Sequence, residues 1–407
     1  MTTCRVPRRT TSRWLAGAVA LCLPLALSTV ASVGAAAAAT GSTNVLKVWA
    51  PKYMERGGTT TRSEAVDEAR HFDVIIAKPG EYDAYVADMR AANPALKLFA
   101  YVNGTFAKAS QGTAFPDAWY VRDTNGAKVT STMFGQYMMD AANSGWVNDR
   151  VALCRHAIAA SGYDGCGLDV LGTTPVTDMT YVSGRPVNPR TRVAWTGQQW
   201  LTATTALAAA VRSGTGRAVA GNGVGDGPRY WYAAFPSSQL LNGLDIGMAE
   251  GFLRSGRAEL GAYPTLSDWK LSVNMLADAD ARGKSLVVTT KVWNTGTSAQ
   301  KDAWHKFALA SFLMGANGRS RFVFLYDISL DPAAYHPWWN TVLGSPSGAY
   351  AARGDGTYVR DFALGKVLAN PGGAAVKVAL GAAYTTLDGR RVTAVTLAPH
   401  SGEVLTR

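Results

Sequence analysis

From residue 44 onward the chain alternates short, almost continuously apolar runs with longer segments of helical period. The apolar runs are NVLKVWAP (44–51), FDVIIAKPG (72–80), LKLFAYVNG (96–104), YDGCGLDVLG (163–172), GRAVAGNGVG (216–225), LDIGMAEGFL (244–253), KSLVVTTKVW (284–293) and SRFVFLYD (320–327). Between them EYDAYVADMRAA, SGWVNDRVALCRHAIAAS, GQQWLTATTALAAAVRSG, TLSDWKLSVNMLADADARG and SAQKDAWHKFALASFLMGANG carry apolar residues three and four apart, behind plausible capping residues. Strands that are apolar on both faces belong to parallel sheets covered by helices. Eight of them alternating with helices predict an α/β fold, a closed (β/α)8 TIM barrel. An open doubly wound sheet is the competing architecture. It normally carries a GxGxxG turn after its first strand, and that position here reads APKYMERGG.

Two stretches break the alternation. Residues 105–143, with PDAWYVRDTNGAKVTS and QYMMDAANSGW, are too long for one helix and predict an elaborated loop over the barrel mouth. After Trp339 the chain turns to short alternating strands, TYVRDF, KVLANP, AAVKVAL, YTTLD and RRVTAVTLAP, separated by Gly, Pro, Asn-Pro and Asp-Gly. That pattern predicts a small antiparallel β domain. The expected organisation is therefore an export signal over 1–40, a barrel over 41–345 and a C-terminal β domain over 346–407.

The export signal rests on Arg5, Arg8, Arg9 and Arg13, followed by the apolar run Trp14 to Val33 and small residues at Ala35 to Ala39. An uncleaved anchor is the alternative, since the run is nearly long enough to span a bilayer. Removing four arginines and no acid lowers the formal charge from +11 to +7. No Lys/Arg cluster or nucleic-acid motif accompanies that charge, so it reads as a solvated surface, with no nucleic-acid partner and no membrane association after cleavage. Cys4 and Cys22 leave with the signal, and in an oxidising compartment the remaining Cys154 and Cys166 are expected to pair. Two free buried thiols are the other reading. The five histidines are scattered, with no HxH or HExxH, so no metal site is expected.

In a barrel of this kind chemistry is built at the carboxyl ends of the strands. Asp169 ends strand four and Glu250 ends strand six, the only acids at the ends of strands four to seven. Two carboxylates converging over one mouth suit glycoside hydrolysis, one donating a proton to the leaving oxygen and one meeting the oxocarbenium-like centre. For Asp169 the structural alternative is a helix N-cap or a salt bridge to a neighbouring strand, whereas glutamate caps helices poorly. Asp226, in the turn GDGP, reads as a turn residue, and Asp327 is balanced between capping and substrate contact. Lys78, Tyr101, Asn103, Asn222, Lys291, Trp293 and Tyr326 also fall at strand ends, where amides and lysines can bind sugar hydroxyls and aromatic faces can stack on pyranose rings. The partner expected is a carbohydrate, and acid and nucleophile need no cofactor to cleave it. Oligomeric state is not legible.

The segments WYVRDTNGAKV (119–129), YMMDAANSGWVNDRV (137–151), YDGCGLDV (163–170), AGNG (220–223) and AEGF (249–252) resemble secreted barrels of hypothetical glycosyl hydrolase family 15, relatives of the endo-α-1,4-polygalactosaminidase-like and α-galactosidase-like barrels. The tail segments YVRDFALGKVLANP and LDGRRVTAVTLAPHSGEVL resemble the β extension of such enzymes. The resemblance implies a nucleophile at Asp169 and a proton donor at Glu250, although the α-galactosidase pattern usually has aspartate on strand six. It also marks Asp140 as a recurrent acid, which capping of the following helix would explain equally well. Two other classes compete: a catalytically lapsed barrel that only binds carbohydrate, and a Schiff-base aldolase using Lys291. Export and the lack of a glycine-rich phosphate loop after strands seven and eight speak against the aldolase.

Overall fold

The computed structural model describes residues 44–55, 59–293, 296–327 and 334–407. The expected export signal, residues 1–40, lies outside the described residues. Ser42–Arg407 form one compact unit. Eight parallel strands appear in chain order: Trp49–Ala50, Val74–Ala77, Lys97–Asn103, Gly165–Asp169, Ala218–Asn222, Ile246–Ala249, Ser285–Lys291 and Arg321–Leu325, here strands one to eight. Each pairs with the next in parallel, and a bridge from Val48 to Phe322 joins the last strand to the first. This is the nearly closed TIM barrel that the apolar runs predict, and each strand lies inside its run.

The helices between the strands form where their caps say they should. Asn143 caps Ser144–Ser161 by accepting from the N–H groups of Gly145 and Trp146, and capping boxes open Gly197–Thr215 at Thr196 and Ser298–Gly315 at Thr297. Thr265 caps Leu266–Ala281. The helix Arg62–His71 is absent from the pattern reading above. Its sequence RSEAVDEARH is mostly polar, yet Thr61 and Glu64 make the reciprocal capping box that marks its start.

Cys154, on the helix Ser144–Ser161, is disulfide-bonded to Cys166 in strand four, with Cα atoms 5.8 Å apart. Closing so short a loop contributes roughly 3 kcal/mol in the chain-entropy model. The bond ties the helix to the strand that ends in Asp169. Glycines in the same strand answer a packing need: a Cβ on Gly167 would stand 2.8 Å from the Ile76 side chain across the barrel interior.

Residues 105–143 build a separate layer. Phe106–Ala107 pairs antiparallel with Tyr137–Met138, and single bridges tie Ser131 to Val182 and Arg122 to Val187. The C-terminal sheet has six strands in the order Ala351–Ala352, Tyr358–Phe362, Gly365–Asn370, Ser401–Thr406, Val376–Thr386 and Arg391–Leu397. Two predicted strands, AAVKVAL and YTTLD, are one long strand with a register shift between Ala379 and Tyr384. The strand Ser401–Thr406 was not expected from alternation, and it sits inside the sheet. This sheet packs on the helix Ser298–Gly315, where Arg360 donates to the carbonyls of Leu313 and Ala316.

Candidate active site

Asp169 closes strand four level with Asn103 in the parallel register, so its side chain emerges at the carboxyl rim. One oxygen accepts from the Tyr101 hydroxyl at 2.6 Å. The other accepts from the Asn222 amide and from the Val170 N–H, both at 2.8 Å. Val170 has φ +57°, a left-handed conformation that β-branched residues rarely enter, and in that turn its N–H points back at the carboxylate. Asn222 ends strand five, and Gly223 follows with φ +128°. A Cβ there would stand 2.1 Å from the Gly172 nitrogen, so glycine is what lets the two turns touch.

Glu250 follows strand six directly. Its Oε1 accepts from the Tyr53 hydroxyl, and its Oε2 meets the buried Lys291 ammonium at 2.7 Å. Tyr53 belongs to the 3-10 turn Lys52–Met54 after strand one. Its ring stacks on that of Tyr101, with centroids 4.7 Å apart and planes 11° from parallel. Each carboxylate therefore hangs from one of two stacked phenols.

The two charges feel each other. Burial, and then the Glu250 charge, push the Asp169 carboxyl above its ordinary pKa, against the three hydrogen bonds that favour its ionised form. Burial and the charges of Glu250 and Asp169 push the Tyr53 hydroxyl far up, and burial with Asp169 does the same to Tyr101. Both phenols consequently remain donors at neutral pH.

The remaining sequence candidates divide. Tyr101, Asn222 and Lys291 bind the carboxylates directly, and Trp293 lies beside them with the Lys291 ammonium 5.0 Å from its ring centroid. Lys78 is exposed and donates to the Glu55 carbonyl at 2.9 Å. Asn103 closes the turn after strand three, accepting from the N–H groups of Thr105 and Phe106 at 3.1 and 2.8 Å. Asp140 is buried, pairs with Arg190 at 3.0 Å and anchors the loop layer, while the cap of the following helix is Asn143. The Tyr326 hydroxyl lies 2.8 Å from His305 Nδ1 and 3.1 Å from Asp302. Asp327 is partly buried just past strand eight. Asp226 caps the short helix Gly227–Tyr230, in keeping with its reading as a turn residue. Tyr53 was not among the sequence candidates. Its signal was the strand-end rule applied to strand one, since it stands three residues past Ala50.

Two cavities open elsewhere. One of about 520 Å³ includes Arg212, Arg217 and Asp245, and one of about 540 Å³ lies in the loop layer around Tyr120, Arg122 and Arg192. In the first, Arg212 is already paired with Asp245 at 3.0 Å, and in the second Arg122 is paired with Asp117 at 2.6 Å. The second cavity is lined by two acids, but Asp117 is tied to Arg122 and Asp123 accepts from the N–H groups of its own turn, Asn125 and Ala127. Among the described residues no group of three or more His, Cys, Asp and Glu is arranged to hold a metal ion.

The chain is similar in fold to the maltogenic α-amylase AmyB from Thermotoga neapolitana, at 11% identity and a TM-score of 0.53 over 90% of this chain and 99% of that one. It is also similar to trehalose-6-phosphate hydrolase TreA from Bacillus licheniformis, at 11% identity and a TM-score of 0.50 over 90% of this chain and all of that one. The glycoside hydrolase domain of PelA from Pseudomonas aeruginosa aligns at 15% identity and a TM-score of 0.46, over 70% of this chain and 96% of that domain. No curated protein matches the sequence. Residues 97–366 match the sequence model of hypothetical glycosyl hydrolase family 15. That span runs from strand three into the C-terminal sheet and takes in well over half of the molecule, both carboxylates included: the chain belongs to hypothetical glycosyl hydrolase family 15.

Proposed function

We propose that this glycoside hydrolase acts outside the cytoplasm on a poly- or oligosaccharide, with Asp169 as nucleophile and Glu250 as proton donor. The observation that carries the reading is the pair of stacked phenols, Tyr53 and Tyr101, each donating to one of the two acids. Burial and the Glu250 charge work against the ionised form of Asp169, and the three hydrogen bonds it accepts favour the carboxylate that can meet positive charge developing on the anomeric carbon. Glu250 then passes to the leaving oxygen a proton that the Lys291 ammonium, 2.7 Å from Oε2, supplies, while the Tyr53 hydroxyl holds Oε1. The disulfide favours an oxidising compartment, and among the described residues no helix is long and apolar enough to cross a membrane.

Incubation with a panel of bacterial and plant polysaccharides, followed by reducing-end and product analysis, tests this function. Wild-type protein is expected to release products and Asp169→Asn to release none. Binding of a glycan without any product would instead identify a lapsed barrel.

A further inference from the structure

Two tyrosines hold the carboxylates, and a third, Tyr181, packs on Phe106 just past strand three. The hydroxyls of Tyr53 and Tyr101 donate to Glu250 and Asp169. Tyr181 comes from the long loop between strand four and the helix Gly197–Thr215. Its backbone is fixed to the loop layer: the Thr132 N–H donates to the Tyr181 carbonyl at 3.0 Å, the Thr132 hydroxyl donates to the Thr180 carbonyl at 2.7 Å, and Val182 bridges to Ser131. Its ring stands edge-on to Phe106, with centroids 6.2 Å apart. Phe106 follows Thr105, whose hydroxyl holds the Val170 carbonyl at 2.6 Å, next to Asp169.

The Tyr181 hydroxyl itself donates to no group among the described residues. Elsewhere Tyr82 donates to Glu68, Tyr230 to Asp278 and Tyr120 to the Gln111 carbonyl, so an unbonded hydroxyl gains meaning here from where Tyr181 stands. The hydroxyl is not among the buried unpartnered atoms, so this donor is open to a molecule bound at the mouth. Burial, and then the charges of Asp169 and Glu250, put its pKa at about 12, which keeps the proton on oxygen at neutral pH.

We propose that Tyr181 is a substrate-contacting residue, whose hydroxyl donates a hydrogen bond to an oxygen of the sugar unit bound over Asp169. A ring held edge-on by Phe106 and a backbone pinned at Thr132 bring that donor to the site already oriented. The assignment rests on the Asp169 and Glu250 reading above.

The test uses the polysaccharide panel with wild type, Asp169→Asn and Tyr181→Phe. On the polysaccharide that wild type cleaves, Tyr181→Phe is expected to lose roughly ten- to a hundredfold in kcat/KM. Its thermal midpoint and the acid limb of its pH profile should stay in place, because no hydrogen bond of the free protein is removed and Asp169 is untouched. A kcat/KM within about twofold of wild type overturns the proposal. So does a loss accompanied by a shifted acid limb, which would mean that Tyr181 acts through Asp169. If wild type cleaves no member of the panel, or Asp169→Asn cleaves as wild type does, the carboxylate reading falls and takes this one with it.

Discussion

At Glu68, packed in the barrel wall, the Lys52 ammonium stands 2.8 Å from one carboxylate oxygen and the Tyr82 hydroxyl donates to the other. At Glu250 the same two kinds of partner recur, with Lys291 at 2.7 Å and Tyr53 on the opposite oxygen. The Glu68 side chain is 7% exposed and the Glu250 side chain 22%. The Glu250 group also has Asp169 close enough for its charge to be felt. An acid, a lysine and a tyrosine thus make a structural tie in one place and a candidate reaction centre in the other. Access and a second acid make the difference, not the residue types. The groups are also joined, because Lys52 and Tyr53 are neighbours in the turn Lys52–Met54. Lys52, tied to Glu68, fixes the turn from which Tyr53 reaches Glu250.

Paired substitutions probe this contrast most sharply. Glu250→Gln is expected to lower kcat by about a thousandfold or more, and to cost stability as well because the buried Lys291 ammonium loses its partner. Glu68→Gln should retain turnover per folded molecule and lose only stability, about 3 kcal/mol, since it removes one partner of a buried ion pair while Lys52 keeps the Glu55 carboxylate at 2.5 Å. Activity and calorimetry on the two variants check both halves, and similar profiles would erase the distinction.

Asp169→Asn separates the two regions in another way. A carboxyl whose folded pKa lies above its unfolded value binds protons more tightly in the native state, so stability falls as pH rises through the folded pKa. Replacing it by an amide removes that loss. The variant should be inactive, with a thermal midpoint at pH 7 equal to or above that of wild type, and the gain should disappear below about pH 4, the ordinary carboxylate range. A lower midpoint at pH 7 would show Asp169 to be a stabilising tie like Glu68.

The smallest effects are expected from the tyrosines. Tyr53→Phe should cost roughly tenfold in kcat/KM, and Tyr82→Phe about 1–3 kcal/mol of stability, each through a lost hydrogen bond to a carboxylate.

The same contrast explains how far the sequence could be read. Strands apolar on both faces and apolar residues three and four apart are local signals that located all eight strands and five helices, four of them opened by threonine or asparagine caps and the fifth, Val86–Ala92, by no side-chain cap. Asp169 and Glu250 were legible because the strand-end rule converts position along the chain into position in space. Lys291 was legible as a rim residue but its bond to Glu250 was not, since that depends on which strand ends meet across the rim. Lys78 and Tyr326 satisfy the same rule and point to other partners. Tyr53 and Tyr181 arrive from a short turn and a long loop, which carry no period. The strand Ser401–Thr406 escaped because SGEVLT is buried through most of its length and does not alternate.

Strand one is two residues long, and among the described residues a single bridge, Val48 to Phe322, closes the barrel beside it. The belt of backbone bonds is thinnest where the chain departs toward Tyr53. Deuterium uptake should therefore begin at the amides of residues 48–50 before it reaches strands three to seven. Each such breath would draw Tyr53 away from Glu250, so the rhythm of this one seam limits how long the acid stays braced.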